Sequence, residues 1–99
     1  MAQFDVFRAA DDSEYVVNCQ SDLLRHLNTR FVVPLMPLAR APRPAAPLNP
    51  LFEIDGEVHA MVTQFAASIP ATDLKERICS LADRHFDVTR AIDTLMSGV

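Results

Sequence analysis

Three histidines and two cysteines are the side chains of this 99-residue sequence best suited to metal binding or nucleophilic chemistry. Their spacing argues against both. His26, His59 and His85 stand far apart, and none belongs to the paired short spacing that a structural zinc uses. Cys19 and Cys79 each sit inside an apolar segment with no second cysteine nearby, so two buried reduced thiols are expected rather than a disulfide or a ligand pair. A Cys–His pair brought together by the fold stays open, without local support. Glycine occurs only at 56 and 98, which rules out a glycine-rich phosphate loop on composition. The charged stretch DLKERICSLADRH reads as a solvated helix face before it reads as a catalytic cluster. Neither a catalytic set nor a metal or cofactor site is therefore expected, which leaves interaction surfaces.

Two such surfaces can be named from spacing. Leu23 and Leu24 are adjacent and cannot both face one core from a strand, so one is exposed or the segment turns helical. Near the C-terminus, Val88, Ala91, Ile92 and Leu95 recur at i, i+3, i+4 and i+7, the stripe of an amphipathic helix. A projection at about 100° per residue puts Thr89, Asp93 and Met96 on one flank of that stripe. Met96 then either packs inward at the margin, as helical spacing alone favours, or faces a partner.

The elements that must hold these residues follow from pattern. Phe4 and Val6 alternate with polar neighbours as a first strand, the alternation failing at Phe7. Residues 9–14, AADDSE, form a mobile acidic loop, and YVVNC supplies an antiparallel second strand. FVVPL is a third strand, and Pro34, with no N–H to donate, predicts an edge position or a bulge. Six of the seven prolines fall between 34 and 50, a stretch best taken as a loop inside the domain. Asp55-Gly56 marks a two-residue hairpin turn. Thr72 or Asp73 caps a possible helix through Leu74, Ile78 and Leu81, with a loop as the alternative for the residues that follow. Asp87 is the expected cap of the final helix, and Gly98 its left-handed stop. Strands first and helix last predict an α+β or barrel-like architecture, an antiparallel sheet covered by a C-terminal helix, with residues 1–99 as one domain.

Composition narrows the function classes. Nine Lys plus Arg stand against thirteen Asp plus Glu, and neither sign forms a run of five, which disfavours direct binding to a nucleic-acid backbone. No apolar run approaches the ~18 residues of a membrane span, and the N-terminus lacks the pattern of a signal peptide, so a cytoplasmic protein is expected.

The order of QFDVF, VVNCQSDLL, RFVVPL, ASIP and AIDTLM resembles the CcdB family, toxins of plasmid and chromosomal toxin–antitoxin modules. The resemblance spans nearly the whole chain and diverges most in the Pro-rich region 37–50. It implies a mostly-β, partly open antiparallel SH3-like barrel with a C-terminal helix, a homodimer, and no enzymatic activity. It also implies two partners: the A subunit of DNA gyrase, trapped in its cleavage complex, and a CcdA-like antitoxin that removes the toxin. Carried over by position, the gyrase-facing set is Leu23, Leu24, Asp93, Met96, Ser97, Gly98 and Val99. The antitoxin side is the loop carrying Arg8, Asp11, Asp12, Ser13 and Glu14. Gyrase-poisoning members of the family end in Trp-Gly-Ile, whereas this chain reads Ser97-Gly98-Val99 and contains no tryptophan.

Two alternatives stand beside this. One is a non-toxic or retargeted homologue that keeps antitoxin binding. The other is a ribosome-independent endoribonuclease, since the MazF and Kid toxins share a related fold; Arg8, Arg30, Arg40, Arg43, His59 and Arg90 are its candidate RNA-facing groups. The acidic net charge and the lack of an aromatic stacking platform count against the nuclease.

Overall fold

The computed structural model of the protein describes residues 2–9 and 14–98. Strands β1 (Asp5–Arg8), β2 (Tyr15–Asn18), β3 (Thr29–Pro37), β4 (Leu51–Ile54), β5 (Glu57–Met61), β6 (Ala67–Pro70) and β7 (Arg77–Ser80) are followed by one helix, α1 (His85–Ser97). All pairings are antiparallel, in the order β4-β5-β3-β2-β1-β7, and the sheet curls into a half-barrel. This is the mostly-β, barrel-like architecture with a C-terminal helix that the resemblance implies. No helix is long and apolar enough to cross a membrane among the described residues.

β3 is the spine. Its one side pairs with β2, and its other side pairs first with β6, through Thr29–Val32, and then with β5, through Leu35–Pro37. Pro34 is therefore in a central strand, and the expectation of an edge or bulge is corrected. The reason is local. The Pro34 carbonyl accepts from the Val62 N–H at 2.9 Å, on the side away from β2, so the missing N–H points to the junction where β3 changes partner. A ladder hydrogen bond is absent there in any case.

Both faces of the sheet carry buried apolar residues, which explains why Phe7 breaks the alternation of β1. Val6, Val17, Val33, Leu35, Phe52, Ile54 and Met61 form the inner core beneath Val88 and Ala91 of α1. Phe7, Val16, Val32 and Leu74 form a smaller cluster on the other face. Leu74 and Leu81 thus belong to different clusters, and the possible helix through residues 74–81 is corrected: a 3-10 turn (Ala71–Asp73) leads into β7, which pairs with β1. Buried Asp5 is matched by Arg77 from β7 at 3.0 Å.

At the hairpin, Asp55 and Gly56 have φ of 52° and 80°, both in the left-handed region that a tight two-residue turn requires. The Pro-rich arm is tied down by buried Asn49, whose side chain donates to the Met61 carbonyl and to Gln64 Oε1 and accepts from the Ala45 N–H. α1 starts two residues before the expected cap. Asp87 lies in its first turn, where the N-terminal dipole favours a carboxylate, and accepts from Arg84 Nε at 2.7 Å. Arg84 also lies over the Phe52 ring and donates to the Leu51 carbonyl, fixing the start of α1 to β4. Gly98 ends the helix at φ 77° with its N–H on the Thr94 carbonyl, as the sequence predicts.

Both cysteines are free, Cys19 buried and Cys79 half-buried. Burial pushes the Cys19 thiol up to about 12, and burial likewise raises Cys79. Since the thiolate is the reactive form, alkylation of the native protein at pH 8 is expected to label Cys79 first and to leave Cys19 largely intact until denaturant is added. Peptide mass spectrometry over time measures this, and equal labelling rates would contradict the burial argument.

Candidate functional site

The Leu23 turn is built from a succession of short-range hydrogen bonds. Ser21 caps a 3-10 turn (Asp22–Leu24) by accepting from the Leu23 N–H at 3.2 Å. Asp22 Oδ1 accepts from the Gln3 N–H at 2.8 Å. The Gln20 amide bridges the turn to β3, donating to the Leu24 carbonyl and accepting from the Phe31 N–H. Behind the turn, the guanidinium of Arg30 donates to the carbonyls of Leu27, Thr29 and Arg25, at 2.6, 2.9 and 3.0 Å. With its polar groups satisfied inward, the turn holds Leu23 at 87% exposure and Leu24 at 44%. Both leucines are thus exposed and the segment is helical, so the two outcomes offered by the sequence occur together.

On α1, Met96 is 76% exposed, so it does not pack inward. Leu95, read from its spacing as a core residue, is also partly exposed, because the helix runs past the sheet it covers and only Val88 and Ala91 are fully buried. Asp93, Ser97 and Gly98 are exposed, and the Ser97 hydroxyl turns back to the Asp93 carbonyl at 2.8 Å. Val99 lies outside the described residues. What links the two groups is the inner core: Gln20 ties the turn to Phe31, and Phe31 and Ile92 pack against the same cluster. Leu27 and Phe86 are exposed apolar residues that spacing did not single out. Phe86 had a signal, since it lies opposite the core stripe two residues before Val88.

Of the second set, Arg8 pairs with Tyr15 at the end of β1, the Glu14 carbonyl accepts from the Ala9 N–H, and Asp11, Asp12 and Ser13 lie outside the described residues. Arg8 donates to Glu76 at 3.2 Å and stacks over Tyr15. Its hydrogen bond to Glu76 raises its pKa further above the usual range. The Tyr15 hydroxyl donates to Asp55 at 2.8 Å, and that bond holds the phenol above its ordinary pKa.

Beside these side chains is a cavity of about 170 Å³, lined by Arg8, Glu14, Tyr15, Leu35, Pro37, Arg40, Glu57 and His59. Three of the six candidate RNA-facing residues, Arg8, Arg40 and His59, meet here. The others do not. Arg30 is the buried clamp behind the leucine turn, Arg43 is exposed on the Pro-rich arm, and Arg90 lines a separate depression with Arg84 and Asp87. His26 is exposed, and His85 bonds the Ala82 carbonyl beside Phe86. Among the described residues, no group of three His, Cys, Asp or Glu side chains is placed to hold a metal ion.

Comparison with known proteins adds two findings. The family model described as CcdB protein matches residues 3–98. A solved structure, Mycobacterium tuberculosis toxin MazF-mt6, superposes with a TM-score of 0.78 at 17% sequence identity, over 93% of this chain and 95% of that one, a likeness of fold.

Proposed function

The chain belongs to the CcdB family of toxin–antitoxin toxins, and from that premise we propose that it binds the A subunit of DNA gyrase and traps the cleavage complex. The observation that carries this reading is the pair of Leu23 and Met96, large apolar side chains held out to solvent on well-supported backbone. Neither stabilises the fold where it stands, and an exposed anchor on a rigid support is what a partner's pocket uses. Asp93, Ser97, Gly98 and Val99 complete the proposed gyrase face, and the β1–β2 loop from Arg8 to Glu14 is the proposed antitoxin side. The chain acts by binding, as a homodimer. An apolar depression on the outer face of the sheet, lined by Val16, Val32, Pro34, Phe65, Ala67 and Ile69, supports a second copy as its cover.

Ser97 stands where gyrase-poisoning relatives carry tryptophan, and one buried aromatic anchor is worth about 2 kcal/mol, roughly thirtyfold in affinity. Gyrase binding in this protein therefore relies on the leucine turn and Met96, and is weaker per protomer. Induction in a gyrase-sensitive host is expected to arrest growth with a DNA-damage response. The meeting of Arg8, Arg40 and His59 in one cavity favours the endoribonuclease as the second reading. Arrest with RNA cleavage and no damage response would select it, and unaffected growth would select a non-toxic or retargeted binder of antitoxin.

A further inference from the structure

The cavity lined by Arg8, Tyr15 and His59 holds an unused acceptor. His59 is 3% exposed, and its Nδ1 lies 2.8 Å from the Glu57 carbonyl oxygen. A carbonyl only accepts, so Nδ1 carries a hydrogen, and in the corresponding neutral tautomer Nε2 is the acceptor. Nε2 bonds nothing among the described residues. Yet no buried side-chain nitrogen or oxygen among them lacks a partner, so Nε2 must meet open space, and the space His59 lines is this cavity.

The rim has the same polarity. Glu14 and Glu57 form no ion pair among the described residues. Arg8 is committed to Glu76 and to the Tyr15 ring, and Arg40 is the cation of the lining that forms no ion pair among the described residues. Two carboxylates against one guanidinium without an ion pair among the described residues, together with an imidazole acceptor, leave the lining one positive charge and several donors short, which suits a cationic occupant that donates several hydrogen bonds. The walls add ring and apolar surface: the Tyr15 and His59 rings lie 5.3 Å apart at a 53° tilt beside Pro37, with Arg8 already over Tyr15. A planar guanidinium stacks on such surfaces and serves several acceptors at once, whereas an ammonium is compact and strongly hydrated. A phosphate would set its oxygens against Nε2 and two carboxylates.

We infer that this cavity is a receptor for an arginine side chain of a basic partner segment, with His59 Nε2, Glu14 and Glu57 as its acceptors. The inference rests on the antitoxin half of the proposed function, because Arg8 and Glu14 belong to that face, and is independent of the gyrase half.

Tyr15 is the only tyrosine of a protein without tryptophan, so intrinsic tyrosine emission reports on the cavity directly. Titrating the whole protein with an acetylated, amidated Gly-Arg-Gly peptide is expected to give a saturable change. The Gly-Lys-Gly peptide is expected to bind at least about tenfold more weakly, and the E14Q/E57Q double variant to lose a further factor of about ten per charge-assisted bond. Arg40→Ala is expected to tighten the arginine peptide, by removing a like charge. Thermal melts establish that each variant is folded. Equal binding of the two peptides, or no saturable change, would overturn the inference. So would binding of inorganic phosphate that Arg40→Ala abolishes, which would make the cavity an oxyanion site. A protein that binds the peptide but leaves growth unaffected keeps this site and loses the gyrase reading. One that is toxic and neutralised by its antitoxin without binding the peptide loses this site alone.

Discussion

Arg30→Ala is expected to lower the unfolding free energy by about 3 kcal/mol, a fall of roughly 10–20 °C in Tm for a domain of this size. The side chain is 6% exposed and its guanidinium serves three carbonyls, those of Arg25 and Leu27 in the loop before β3 and of Thr29 at the start of β3. Alanine removes all three charge-assisted hydrogen bonds and the packing of the side-chain stem. Arg30→Lys keeps the charge but not the planar fork, and is expected to recover less than half of the loss. The loop follows directly on the turn that carries Leu23, so loosening it also removes the rigid support of that side chain. Urea unfolding of the three proteins measures the effect. A change below about 1 kcal/mol for Arg30→Ala would mean that the carbonyls are satisfied as well by water.

Leu23→Asp and Met96→Asp are expected to separate function from folding. Both side chains are largely in solvent, so each variant should stay within about 0.5 kcal/mol of the parent in stability. If these are the anchors of the gyrase face, each charge buried against a partner's apolar pocket costs at least about 2 kcal/mol, roughly thirtyfold in affinity, and the pair should abolish growth arrest. Phe86→Asp is the control. Phe86 is 77% exposed at the opposite end of α1, so its replacement removes as much exposed apolar surface without touching the proposed face. Toxicity in the double variant, or an equal loss with Phe86→Asp, would place the anchors elsewhere.

The features that were legible in the sequence share one property: each is decided within about one helical turn or one tight loop. Asp55-Gly56 turns because two successive residues need positive φ, and Gly98 stops α1 for the same reason. The stripe through Val88, Ala91 and Ile92 forms a helix because neighbours at three and four residues share a face. Leu23 and Leu24 announced themselves because no strand can bury both. The two misreadings of the sheet are non-local. Leu74, Ile78 and Leu81 carry a helical spacing, but β1, some 70 residues earlier, offers Arg77–Ser80 a strand partner and divides the leucines between two faces of the sheet. Pro34 is tolerated in a central strand only because β6 and β5 meet opposite it.

By itself, then, the sequence determined the local turns, the closing helix, the free cysteines' apolar settings and, through the order of its motifs, the family. Only the tertiary structure decided what the charged residues are for. Arg30 and Arg40 are chemically identical, and their neighbours in sequence do not distinguish them. Burial among three carbonyls makes one a clamp, and the other lines the cavity without an ion pair among the described residues. The cavity itself draws Tyr15 from β2, His59 from β5, and Pro37 and Arg40 from β3 and the arm that follows it. Such a site exists only once the sheet has curled, because its residues are adjacent through backbone pairing and not through the chain.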